Sequence, residues 1–146
     1  MDKYEILVDI DFKPESKQRL IKLAEDYSWK MYFISTSLNL VFKDTKVLET
    51  KKGFHFYHTV DSKRPLTPLE IIIIQLALGS DYKREIFNLR RARAWLDGEE
   101  LEDGWNVLFK YKYKKGKLVS QEFRSEKSRI VESYIKNRYN RLMESD

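Results

Sequence analysis

Nine residues near the amino terminus constrain the fold more than any other stretch of this chain. From Tyr4 to Phe12 the side chains alternate: Tyr4, Ile6, Val8, Ile10 and Phe12 on one side, Glu5, Leu7, Asp9 and Asp11 on the other. A period of two is that of a β-strand with one face in a core. Such a strand needs a sheet to join and a layer to cover it. The covering layer follows at once. Pro14 suits the first turn of a helix, and Leu20, Leu23, Ala24 and Tyr27 then recur at helical spacing.

From Lys30 to Val60 the residues favour β structure. Met31–Ile34 and Leu38–Phe42 are rich in β-formers, a polar turn is expected near Lys43–Lys46, and Lys51-Lys52-Gly53 leads into a strand over Phe54–Val60. Thr67-Pro68-Leu69-Glu70 reads as a helix start, with Thr67 as cap, Pro68 at the first helical position and Glu70 closing a capping box. Gly79-Ser80-Asp81 should break or kink that helix, Ser80 or Asp81 capping a second segment that reaches Trp95. After an acidic loop, Leu96–Gly104, alternation returns over Trp105–Tyr113, and Lys114–Lys117 turns into Leu118–Phe123. A last helix is expected from Ser125 to about Met143, with Val131, Tyr134, Ile135 and Leu142 on one side. The expectation is an α+β fold: an RRM-like or ferredoxin-like β-α-β-β-α-β core, with an added C-terminal β-hairpin and helix. At 146 residues this fits one domain, the core over about 4–95 and a basic C-terminal region over about 105–143.

Composition narrows the function classes. There is no cysteine, which excludes a disulfide framework and Cys-ligated zinc or iron–sulfur sites. Leu69–Leu78, the longest apolar run, is interrupted by Glu70 and Gln75 and is far shorter than the ~18 residues of a membrane span. MDKYEILVDIDF lacks a signal-peptide layout, so no membrane partner and a cytoplasmic location are expected. The abundance of Lys, Arg and Glu also resembles thermophile usage. The net charge of +5 is uneven: between Trp105 and Arg141 there are eleven Lys or Arg against three Glu. A basic carboxy-terminal third suggests an anionic partner, nucleic acid first; a solvated, highly charged surface is the alternative.

Three constellations could carry chemistry. Asp9 and Asp11, two apart on a strand, project from one face. Adjacent carboxylates repel unless a divalent cation holds them, and hard oxygen ligands suit Mg²⁺ or Mn²⁺. The plain alternative is an exposed strand face that carries acids. Secondly, Lys51 and Lys52 precede Gly53, and such a run lets backbone approach a phosphate. His55 faces away from Phe54 and Phe56 and can share the open sheet face with Tyr57, where an imidazole binds phosphate or moves a proton. His58 is read as a surface-strand residue without a role. Thirdly, Asp81, Arg84, Glu85, Asn88 and Arg91 form a polar helical stripe opposite Tyr82, Ile86 and Leu89. Arg84 and Arg91 suit phosphate contacts, unless the stripe is an ion-paired solvent face with Asp81 a cap.

LVDIDF, then ETKKGFHFY about 40 residues later, then a helix with SDYKRE, resembles the catalytic region of the archaeo-eukaryotic primase superfamily. The resemblance covers about Tyr4 to Trp95. It implies that Asp9 and Asp11 bind catalytic divalent metal, and that His55 contacts the phosphates of an incoming nucleotide with Lys51 or Lys52 nearby. The chain departs from the family pattern at Glu49 and Thr50, which stand where the family has a serine before the basic pair. The family's third metal-binding acid comes from a later strand. Trp105–Phe123 offers only Glu122, while Glu102 and Asp103 precede it and Asp81 and Glu85 lie on the helix.

Three functions follow as expectations. The first is nucleotidyl transfer of primase–polymerase type on a nucleic-acid strand, DNA rather than RNA, with nucleotides as substrates. The second is a small divalent-metal-dependent nuclease in which Glu85 or Asp81 supplies the extra carboxylate. The third is a non-catalytic nucleic-acid-binding accessory protein, in which Phe54, Phe56, Tyr57, Tyr111 and Tyr113 stack bases, Phe54 and Phe56 being better read as core. In each, Lys110, Lys112, Lys114, Lys115 and Lys117 contact the strand.

Overall fold

The computed structural model describes residues 1–145. In chain order the elements are β1 (Asp2–Ile10), α1 (Lys17–Leu38), β2 (Leu40–Glu49), β3 (Phe54–Ser62), α2 (Pro68–Ala77), α3 (Tyr82–Leu96), β4 (Tyr111–Lys114), β5 (Lys117–Gln121) and α4 (Glu126–Glu144). The fold is α+β, with two antiparallel sheets, β1-β3-β2 and β4-β5. Alternation sends Ile6, Val8, Phe54, Phe56 and Val60 to one face of the larger sheet. There they meet Leu20, Ala24, Tyr27 and Met31 of α1 and Val131, Ile135 and Tyr139 of α4. Each fully buried side chain of this size contributes about 1.5–3 kcal/mol of transfer free energy. Among the described residues no helix is long and apolar enough to cross a membrane.

The starts of α2, α3 and α4 hold as read, but α1 begins at Lys17 with Ser16 as its cap, so Pro14 lies before that helix and not in its first turn. Thr67 and Glu70 exchange the capping-box hydrogen bonds, and Asp81 caps α3. Three element assignments differ. Met31–Ile34 is helical, because α1 runs on to Leu38 and keeps Tyr27, Met31 and Ile34 on its buried stripe. Helical periodicity overrides the β-propensity of those residues. Lys43–Lys46 lies inside β2, which passes it with a bulge between Phe42 and Asp44. The fourth strand of the expected core does not join the larger sheet. Of Trp105–Tyr113, Tyr111–Tyr113 lies in β4, which pairs with β5 alone.

The place beside β1 is filled by side chains and one main-chain amide instead. Leu7 N–H donates to Gln75 Oε1 (2.9 Å) and Asp9 N–H to Ser80 Oγ (3.0 Å). Leu7 O accepts from Arg84 Nη1 (2.7 Å), Asp9 O from Asp81 N–H (2.7 Å) and Glu5 O from Asn106 Nδ2 (3.4 Å). Buried main-chain groups must be paired, and here α2, α3 and the chain after them do the pairing. The β2 edge is closed in the same way. Phe42 N–H donates to Tyr139 Oη (3.0 Å), Val47 N–H to Glu132 Oε1 (2.8 Å), Val47 O accepts from Arg124 (2.7 Å), and Glu49 exchanges both backbone bonds with Phe123.

This demand turns α3 inside out. Its polar stripe points inward, with Arg84, Glu85 and Asn88 buried, while Tyr82 and Ile86 are 61% and 54% exposed. Glu85 accepts from Gln75 Nε2 and Ser80 Oγ (both 2.7 Å) and pairs with Arg84. The polar stripe of α3 is therefore not a solvent face.

Candidate active site

Two strand ends and a turn build the site. Asp9 lies opposite His55 in the β1–β3 register. The turn joining β2 to β3 is closed by Thr50 N–H to Gly53 O (2.8 Å) and Gly53 N–H to Thr50 Oγ1 (3.0 Å). A Cβ on Gly53 would collide with the backbone of Ile10 and Phe12. The glycine is thus required by close approach of the turn to the end of β1, a different reason from the phosphate contact expected of it. That approach sets Lys51 and Lys52 beside Asp9 and Asp11.

The second wall is the chain around the hairpin. A cleft of about 300 Å³ is lined by Asp9, Asp11, His55 and Glu122 together with Lys51, Lys52, Lys110, Lys112 and Lys114. Lys115 and Gly116, both at positive φ, form the tight hairpin turn, and Lys115 and Lys117 lie exposed outside the cleft lining. Asp81 shares an adjoining cavity with Asp9, Asp11 and His55.

His55 is held between two carboxylates. Its Nε2 lies 3.5 Å from Asp9 Oδ1, and its Nδ1 donates to Glu122 Oε2 at 2.8 Å. Tyr57 Oη donates to the same oxygen at 2.5 Å. Burial opposes charge on His55, but the hydrogen bonds and charges of Asp9 and Glu122 outweigh it and raise its pKa. Burial also works against the Asp9 and Glu122 carboxylates, yet the imidazole beside each holds both below the usual range. Asp11 goes the other way: burial and the negative charge of nearby Asp9 raise its pKa.

Several expected residues lie elsewhere. Arg84 lines the adjoining cavity with Asp9, Asp11 and His55, but its donors are directed to Val107 O, Leu7 O, Ser80, Glu85 and Asn106 inside the fold. Glu85, expected as a catalytic carboxylate, is 1% exposed within that network and outside the cleft lining. Arg91 donates to Gly104 O from Nε and Nη2 (3.2 and 2.5 Å) and covers the Phe87 ring, which ties down the acidic loop. Phe54 and Phe56 are fully buried, while Tyr111 and Tyr113 are exposed. Phe109, not singled out in the sequence, lines the cleft, and so does Thr50. Glu49 is held by Lys13 Nζ (2.7 Å) and Ser125 Oγ (2.6 Å).

His58 is a core residue, not a surface one. It is 1% exposed, with Nε2 2.6 Å from Tyr27 Oη and Nδ1 2.8 Å from Thr45 Oγ1. Burial alone drives its pKa down to about 3, so the folded state holds it neutral while the unfolded chain protonates it below about 6.5. The unfolded state then binds more protons, and stability falls with falling pH between those limits, by roughly 1.4 kcal/mol per pH unit. Because the raised pKa of His55 acts with the opposite sign over this range, the comparison is between variants: from pH 7 to pH 5 the protein should lose about 2 kcal/mol more than His58→Gln in urea denaturation.

No protein-family model, no curated protein and no solved structure matches the chain. Among the described residues no group of three or more His, Asp or Glu side chains is gathered to hold a metal ion. The donor chemistry of the Asp9–Asp11 pair nevertheless suits a hard divalent cation. One carboxylate has a lowered and the other a raised pKa, as expected of neighbouring acids whose charges repel unless a proton or a cation lies between them.

Proposed function

We propose that this chain is a metal-dependent nucleic-acid enzyme of primase–polymerase type, catalysing nucleotidyl transfer on a DNA or RNA strand. One observation carries the reading: a paired-aspartate and histidine floor inside a cleft ringed by lysines. A simple anion binder has no use for adjacent acids that repel phosphate. The strand arrangement is compatible with a reduced RRM-like core, since β1 and β2 both flank β3 with α1 crossing between them.

Asp9 and Asp11 would hold Mg²⁺ or Mn²⁺, with Asp81 the next carboxylate at hand. Such a cation supplies Lewis-acid stabilisation of phosphoryl oxygens and lowers the pKa of a bound hydroxyl. Lys51, Lys52 and the Nε2 edge of His55 hold the nucleotide's phosphates. Lys110, Lys112 and Lys114, which line the same cleft, hold the strand, with Lys115 and Lys117 extending the basic track along the hairpin. The exposed rings of Tyr111 and Tyr113 offer stacking surfaces for bases.

The test is incubation of labelled primer–template with Mn²⁺, with and without nucleotides. Nucleotide-dependent extension is the expected result. Degradation without nucleotides would replace this reading with the nuclease, and binding without reaction would replace it with the accessory protein. The strand track makes its own prediction. Replacing Lys112, Lys114, Lys115 and Lys117 by Ala should weaken binding to unrelated sequences alike. It should also reduce the slope of log affinity against log salt by roughly one for each phosphate that is no longer neutralised. Fluorescence anisotropy across a salt series measures both. An unchanged slope would return these lysines to a solvated surface.

A further inference from the structure

Glu122 is the one acidic residue between Trp105 and Phe123, so it is where a third metal-binding acid would be sought. Its contacts point to another task. Oε2 already accepts twice, from His55 Nδ1 at 2.8 Å and from Tyr57 Oη at 2.5 Å. The two donors are two residues apart on β3 and share a face, so one carboxylate bridges them. Asp9 lies at the other ring nitrogen of His55, 3.5 Å from Nε2. The imidazole therefore stands between Glu122 and Asp9, and one ion cannot take both carboxylates without displacing the ring. With its side chain 9% exposed, Glu122 has its donors inside the fold.

We propose that Glu122 is a positioning residue for His55 and not a metal ligand: with Tyr57 behind it, it fixes the imidazole so that the Nε2 edge faces the carboxylate pair and the nucleotide. This rests on reading the cleft as a nucleotide site. A bare imidazole on a strand rotates about two bonds, and a phosphate contact misplaced by about 1 Å costs up to 10²-fold. Glu122 directly follows β5, and its N–H donates to Lys110 O (2.9 Å). The backbone that carries the strand-binding lysines therefore also orients the nucleotide-binding ring.

Three variants test this: Glu122→Gln, Tyr57→Phe and the double variant. Glu122→Gln should leave Mn²⁺ affinity within about twofold. It should raise the nucleotide KM about tenfold and change kcat at saturation much less. Tyr57→Phe should raise KM less, and the double variant no more than Glu122→Gln alone, because the two act through one chain. In NMR spectra of the metal-free protein the His55 Nδ1 proton should lie far downfield and move upfield in Glu122→Gln. A tenfold loss of Mn²⁺ affinity would make Glu122 a metal ligand and overturn the proposal. Additive KM effects, or an unmoved His55 signal, would overturn it too. A wild-type protein that uses no nucleotide would defeat the functional reading. The NMR measurement would still decide whether Glu122 holds the ring.

Discussion

Replacing Asp9 and Asp11 together by Asn is expected to reduce strand synthesis by about a thousandfold or more and to leave nucleic-acid binding equal or tighter. Under the proposed function the two carboxylates would hold a cation beside phosphate, and amides of the same shape cannot. Binding gains because two negative charges leave a path walled by Lys51, Lys52, Lys110, Lys112 and Lys114. The two single variants should differ in stability. Asp9 is 8% exposed and its pKa is lowered despite burial, because His55 sits beside it, so Asp9→Asn removes a favourable pairing. Asp11 has its pKa raised by burial and by the charge of Asp9, so Asp11→Asn should be neutral or stabilising. Primer extension, anisotropy and urea denaturation of the three variants measure these separately. Full activity in the double variant, from a preparation free of contaminating polymerase, would remove the site assignment.

Arg84→Ala should destabilise the protein by about 3–5 kcal/mol, the usual cost of removing one partner from a buried ion pair. The substitution would strand Glu85 in the interior and leave Leu7 O without its donor. Lysine should rescue poorly, since one ammonium cannot reproduce a planar fork serving Val107 O, Leu7 O and Asn106. Urea denaturation at low salt gives the number. A phosphate-binding Arg84 predicts the reverse: unchanged stability and weakened affinity.

That contrast shows what could be read from the sequence. Local patterns with a local cause were legible: the alternation of β1, the Thr67–Glu70 box, the Asp81 cap, and the facing of His55 away from Phe54 and Phe56. Asp9, Asp11 and His55 meet because strand periodicity and antiparallel register suffice to bring them together. The misreadings come from non-local demands. Amphipathic reasoning assumes that apolar residues face inward, and α3 breaks the assumption because the unpaired edge of β1 needs polar partners. Nothing in α3 itself states that need. His58 looked like a surface residue because its partners, Tyr27 and Thr45, come from other elements. Glu122 reaches His55 from 67 residues away, and no spacing rule spans that distance.

The closed sheet edges bear on where this chain can be cut. A fragment ending near Trp95 would keep the aspartates, the histidine and the basic turn. It would lose Tyr139, Glu132, Arg124 and Phe123 from the β2 edge and Asn106 from the β1 edge. It would also lose Val131 and Ile135 from the core. What remains is a ribbon of unpaired amides and carbonyls beside bare apolar surface, which invites chain-to-chain stacking into insoluble material. The carboxy-terminal third is thus no removable appendage on the amino-terminal core, and a shortened version should be sought by trimming the acidic loop over 97–103 instead.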